Sequence, residues 1–173
     1  MDIVTSILQI LLPAGLVLMG MYLTVKTLLQ KDFEKRLVEL RSQSTDQILP
    51  LRLQAYERVA LLLERTSPHQ LVLRVNNPVY NAAQFQQQMV QEVREELNHN
   101  LSQQIYMSDQ AWSLTKQAIE ETISLINTSA QHIAPDAPSI ELAKAIFENL
   151  IRREEAPNDI ALRVLKEELR VLY

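Results

Sequence analysis

The sequence predicts an all-α protein: an N-terminal transmembrane helix followed by a cytoplasmic helical bundle with two long antiparallel helices. Three observations predict it. No charged residue occurs from Ile3 to Val25. The chain has only two glycines, Gly15 and Gly20, and both lie inside that run. Between prolines, apolar residues recur three or four apart, and no stretch alternates apolar and polar long enough to make a strand.

The apolar run comes first. At about 1.5 Å per residue it covers roughly 34 Å of helix, enough for a bilayer's hydrocarbon core. Its helix satisfies its own backbone, so Pro13 and the two glycines are tolerable there. Lys26, Lys31, Lys35, Arg36 and Arg41 follow it, and basic flanks stay on the cytoplasmic side. The expectation is a bacterial inner-membrane protein, N-terminus out, touching the lipid bilayer through residues 3–25. A cleaved signal peptide would need a basic start, a shorter apolar core and a small-residue cleavage motif, none of which is seen.

Residues 1–29 are thus read as the anchor and 30–50 as a juxtamembrane helix or short coiled-coil neck. Phe33, Leu37 and Leu40 would form its seam, which weakens at Ser42–Thr45. Residues 51–173 form the bundle. Its first segment, Leu51 to Arg65, places Ala55, Tyr56, Val59, Leu62 and Leu63 on one face. Ser67 caps and Pro68 starts a short helix ending near Val75. Asn81 caps a long helix to about Met107, in which Phe85, Met89, Val93, Leu97, Leu101 and Ile105 recur every fourth residue.

Ser108 caps its partner, 109–133, with Trp112, Ile119, Ile123, Ile126 and Ile133 facing inward. The Ala134–Pro138 linker ends that helix. Ser139 to Glu155 supplies the next, with Ile140, Ala143, Ile146, Phe147 and Leu150 inward. A break at Pro157-Asn158 then leads to a last helix from Ile160 to Leu172, carrying Leu162, Leu165 and Leu169.

Composition narrows the function classes. With no cysteine, disulfides, thiolate metal sites and thiol nucleophiles are excluded. No glycine follows the apolar run, so P-loops and dinucleotide-binding fingerprints are absent as well. The formal net charge of −4 argues against nucleic acid as a partner. No cofactor is expected.

The stretches L-R-L-Q-A-Y-E-R (Leu51–Arg58), L-E-R-T-S-P (Leu63–Pro68) and L-V-L-R (Leu71–Arg74) open a recognisable pattern. N-H-N-L-S-Q-Q-I-Y (Asn98–Tyr106), Ala111-Trp112 and A-P-S-I-E-L-A-K (Ala137–Lys144) continue it. Together they resemble an uncharacterised family of short, single-span bacterial proteins found in Bacteroidota. The resemblance implies a membrane helix with a helical cytoplasmic domain, and no established activity.

Candidate site residues concentrate at the end of the first long helix. Glu95 and His99, one turn apart, could share a metal ion or a proton. A metal site needs three or four ligands, and such a pair is common on a solvated helix face. Asn98, Asn100, Ser102 and Gln103 form a polar strip suited either to helix capping or to a partner. With Tyr106 and Arg58 these residues make the candidate interaction patch: Glu95, Asn98, His99, Asn100, Gln103, Tyr106 and Arg58. The Tyr56–Arg65 segment offers an interhelical ion pair, or, with Arg52 and Arg74, an anion site. Trp112 reads as a core anchor.

The functional expectation is a membrane-anchored, non-enzymatic helical interaction or scaffold protein binding a protein partner or itself. The alternatives are an accessory subunit of a membrane transport or secretion complex, and an enzyme using the Glu95/His99 region.

Overall fold

The computed structural model describes residues 2–153 and 155–170, with side chains from residue 15 onward except 34 and 37–47. Among these residues the chain is all-α: α1 (Asp2–Thr66), α2 (Pro68–Val75), α3 (Ala82–Asn100), a 3-10 segment (Leu101–Tyr106), α4 (Asp109–Ala130), α5 (Ser139–Ile151) and α6 (Pro157–Arg170). The only extended pairing described is an isolated antiparallel bridge between Asn81 and Pro138. The chain divides into two compact units, Met1–Leu49 and Pro50–Tyr173.

The first unit is helix. Its described apolar side chains, Leu16 through Leu29, are all exposed. Among the described residues no helix is long and apolar enough to cross a membrane. Residues 3–14, the first half of the apolar run, lie outside the described side chains. So do Leu37 and Leu40 of the expected neck seam, whose remaining member, Phe33, is exposed.

The second unit holds two adjoining cores. In one, Leu71 and Val72 of α2, Phe85, Met89 and Val93 of α3, Ile119, Ile123 and Ile126 of α4, and Leu142 and Ile146 of α5 are buried together with Leu62. In the other, Tyr56, Val59 and Leu63 of α1 meet Ala111, Trp112 and Ala118 of α4 and Ala161, Leu162 and Leu165 of α6. Trp112 is therefore a core residue, as its place in the first turn of α4 suggests.

Capping fixes where these helices begin. Asn81 Oδ1 accepts from the Gln84 amide, and Gln84 Oε1 accepts from the Asn81 amide, a complete capping box. Ser108 Oγ likewise accepts from the Ala111 amide. Ser67 occupies the N-cap of α2 without a side-chain bond, and Pro68 at the first position sets the helical φ by itself.

Several expectations are corrected. Pro50 does not end a helix, and α1 runs through it. The lost backbone bond is outweighed because the following turns bury Ala55, Tyr56, Val59, Leu62 and Leu63. The long helix expected to reach Met107 leaves α geometry at Asn100, whose φ of −111° and ψ of 5° fall in the bridge region. Leu101 and Ile105 consequently leave the buried stripe and stand exposed, as does Ile140. Helix α4 stops at Ala130, α5 at Ile151, and α6 starts at Pro157, so the break at Pro157-Asn158 is instead a first helical turn.

Candidate functional site

Two arrangements concentrate polar chemistry in the second unit. The first is a knot at the end of the bundle where the chain enters at Pro50. Glu168, in the last turn of α6, receives the Tyr56 hydroxyl at 2.5 Å, the Ser108 hydroxyl at 2.7 Å and the Ser108 amide at 3.0 Å. Arg52 Nε donates to the Tyr106 carbonyl at 3.1 Å. Burial raises the Glu168 carboxyl, but the Tyr56 and Ser108 hydrogen bonds and the Arg52 charge outweigh it and hold the group below its ordinary range. Burial, reinforced by the bond to Glu168, pushes the Tyr56 phenol up to about 12. Held by three hydrogen bonds from Tyr56 and Ser108, the carboxylate ties α6 to α1 and to the start of α4.

The second lies at the other end of α6. Asn158 is buried, donating to the Leu63 carbonyl at 2.6 Å and to Thr66 Oγ1 at 3.2 Å, and accepting from Thr122 Oγ1 at 3.0 Å. Every polar atom in this network has a partner, as burial requires.

The residues singled out from sequence are placed as follows. Glu95 is exposed and its carboxylate accepts from Gln91 Nε2 at 2.7 Å, one turn toward the N-terminus from His99. Asn98 and His99 are exposed. Asn100 is buried and donates back to the Glu96 carbonyl at the end of α3. Gln103 donates to Ser102 within the 3-10 segment. Tyr106 is half-buried, holding Arg52 through its carbonyl.

Arg58 is exposed on α1, with no ion pair among the described residues. The ion pair joining helices in this region is Arg65–Glu96 at 3.1 Å, with Arg74–Glu92 at 2.7 Å beside it. Arg52, Arg65 and Arg74 thus have partners, which disfavours an anion site built from them. Among the described residues no three His, Asp or Glu side chains come together as metal ligands.

What the sequence did not reveal is the surface left when α3 gives way to the 3-10 segment. Ile105 is 77% exposed and Leu101 42%, and Leu51, next to the Arg52 that bonds Tyr106, is 48% exposed. The fourth-residue repeat disguised Leu101 and Ile105 as core. A shallow groove of about 440 Å³ also runs beside α3, lined by Ala83, Val90, the amides Gln86, Gln87, Gln91 and Asn127, and the charged Arg94 and Glu95.

Fold and surface together define an all-α bundle preceded by a long N-terminal helix, with no cluster of three His, Asp or Glu side chains among the described residues. The sequence matches the model of a family of unknown function (DUF7935) over residues 2–172, and the chain belongs to that family. No curated protein and no solved structure matches it.

Proposed function

We propose that this protein is a membrane-anchored, non-enzymatic helical scaffold at the cytoplasmic face of a bacterial inner membrane, of the single-span Bacteroidota type its sequence resembles. The observation that carries the reading is the uncharged run from Ile3 to Val25 followed by five basic residues within Lys26–Arg41. Two further facts support it. Leu16, Val17, Leu18, Met19, Met21 and Leu23 are all exposed, an arrangement suited to an apolar solvent. The Thr24 and Thr27 hydroxyls donate to the Gly20 and Leu23 carbonyls at 2.8 Å, removing the polar groups that lipid would leave unsatisfied.

The mechanism is tethering. Confinement to a plane raises the bundle's effective concentration for other membrane-bound proteins, so modest contacts suffice for occupancy. An accessory role in a membrane complex is the second reading. Gly15 and Gly20 have open space where a side chain would sit, which would let another helix approach closely.

Alkaline carbonate extraction of cell membranes tests the anchor. The full chain should stay in the pellet, and a chain lacking residues 2–25 should be released. Release of both would remove the reading.

A further inference from the structure

We propose that the cleft between the α2–α3 turn and α3 is a binding site for a neutral, polyhydroxylated ligand, a mono- or disaccharide. The cleft has a volume of about 370 Å³ and is bordered by Arg74, Asn76, Asn77, Tyr80, Gln88 and Glu92. That size falls in the range of small-molecule sites, about 300–1,000 Å³.

Its polar groups are held from behind. Ser139, buried at the start of α5, places its hydroxyl 3.3 Å from both Asn76 Oδ1 and the Asn77 carbonyl. The Val79 amide donates to Asn77 Oδ1 at 3.1 Å, and the Ser139 amide to the Tyr80 carbonyl at 3.2 Å. The Tyr80 ring packs against the core shared by α2, α3, α4 and α5. On the facing helix, Glu92 accepts from Arg74 Nη1 at 2.7 Å and from Gln88 Nε2 at 3.4 Å. A ligand meets groups already in place, so little ordering opposes its binding.

These bonds engage one side of each amide and leave the other. With their Oδ1 atoms taken, Asn76 and Asn77 keep Nδ2 as donors. With Nε2 taken, Gln88 keeps Oε1 as an acceptor, and the Tyr80 hydroxyl can do both. None of these four groups has a hydrogen-bond partner among the described residues.

Charge selects the class of ligand. The Arg74 guanidinium is met by Glu92, and no other cationic side chain borders the cleft, which disfavours phosphates and carboxylates. Both Glu92 oxygens are engaged, which disfavours cations. The apolar lining is confined to Val75, Pro78 and the Tyr80 ring, too little for a greasy ligand. Sugar hydroxyls each donate and accept, which matches fixed amide donors, an amide acceptor and a phenol around one cleft. The inference does not depend on the membrane anchor, because every group in it lies within the second unit.

Full-length, nitrogen-15-labelled protein in lauryldimethylamine oxide, a detergent without a sugar head group, would be titrated with maltose and separately with cellobiose. At least one should move the side-chain amide signals of Asn76, Asn77 and Gln88 along one saturating curve. The expected dissociation constant is on the order of 1 mM for so open a site. Signals of Gln86 and Gln91, in the neighbouring groove, should stay fixed. Gln88→Ala and Tyr80→Phe should each weaken binding by about three- to tenfold, the scale of one lost hydrogen bond, with the circular dichroism spectrum unchanged.

The proposal is overturned if neither disaccharide moves these signals at concentrations well above that constant, or if both variants bind as the wild type does. A stronger response to inorganic phosphate, or to the neutral peptide N-acetyl-trialanine amide, would overturn it equally.

Discussion

The core beneath α2 and α5 and the seam that α6 makes with α1 and α4 bury the same kinds of apolar residue, but they locate their helices differently. In the first, Leu71, Phe85, Met89, Leu142 and Ile146 are fully buried, and shape complementarity among apolar side chains sets the fit. In the second, polar side chains pin both ends of α6: Asn158 in its first turn and Glu168 in its last. Apolar faces alone allow a helix to slide by a turn at modest cost. Hydrogen bonds between uniquely placed partners do not, because a slip leaves them buried and unpaired. α6 follows an exposed stretch at Arg152–Arg153, and these two polar pins fix its register against α1 and α4.

The strongest way to break either region is to empty it. Phe85→Ala in the first core and Trp112→Ala in the second should each cost about 3–5 kcal/mol, from lost transfer energy plus a cavity. Thermal or urea unfolding measures this. A change near zero for Trp112→Ala would detach the ring from the core and turn it into a surface anchor.

The polar pins are tested next. Asn158→Ala leaves the Thr122 hydroxyl without its partner and the Leu63 carbonyl with only the long 3.4 Å bond from Thr66 Oγ1, and should cost about 1–3 kcal/mol for such an unmet group. If position rather than mere polarity matters, Asn158→Leu combined with Thr122→Val should recover much of that loss while broadening the amide spectrum of α6. Full recovery with unchanged spectra would mean that packing alone sets the register.

The smallest effect is in pH. Glu168 titrates below its ordinary 4.5 in the folded chain, so its stabilisation is present above that value and is lost as pH falls through the depressed folded one. Tyr56 has the opposite sign. Its folded value of about 12 exceeds the unfolded 10.0, so its share is complete below pH 10 and is lost as pH rises toward 12. Melting temperature against pH should therefore fall more gently at the alkaline end in Tyr56→Phe than in the wild type, and at the acid end in Glu168→Gln. Parallel curves would mean that the knot is not coupled to folding.

Local signals were legible in the sequence, and long-range ones were not. The Asn81 and Ser108 caps, the Trp112 anchor and the stripe from Phe85 to Val93 depend on residues within a turn or two, and each is where its spacing indicates. Glu168 could not be tied in advance to Ser108 and Tyr56, since it lies 60 and 112 residues away from them. Asn158 read as a breaker because asparagine after proline favours turns, yet its partners are supplied by α1 and α4.

Pro50 misled in the opposite direction, because packing beyond it outweighed a local penalty. Leu101 and Ile105 misled because periodicity registers a face but not the residue at which the helix stops. Of the candidate patch, Asn98, His99 and Gln103 stay at or near the surface, while Asn100 serves α3 itself.

The central claim is that the second unit is held at the cytoplasmic face of a membrane, and one labelling measurement addresses it most directly. A cysteine at Gln43, alone in a chain that has no other, would be exposed to a membrane-impermeant maleimide in spheroplasts. The account predicts labelling only after permeabilisation, with the protein in the membrane fraction throughout. Labelling of intact spheroplasts, or recovery of the protein in the soluble fraction, would contradict it.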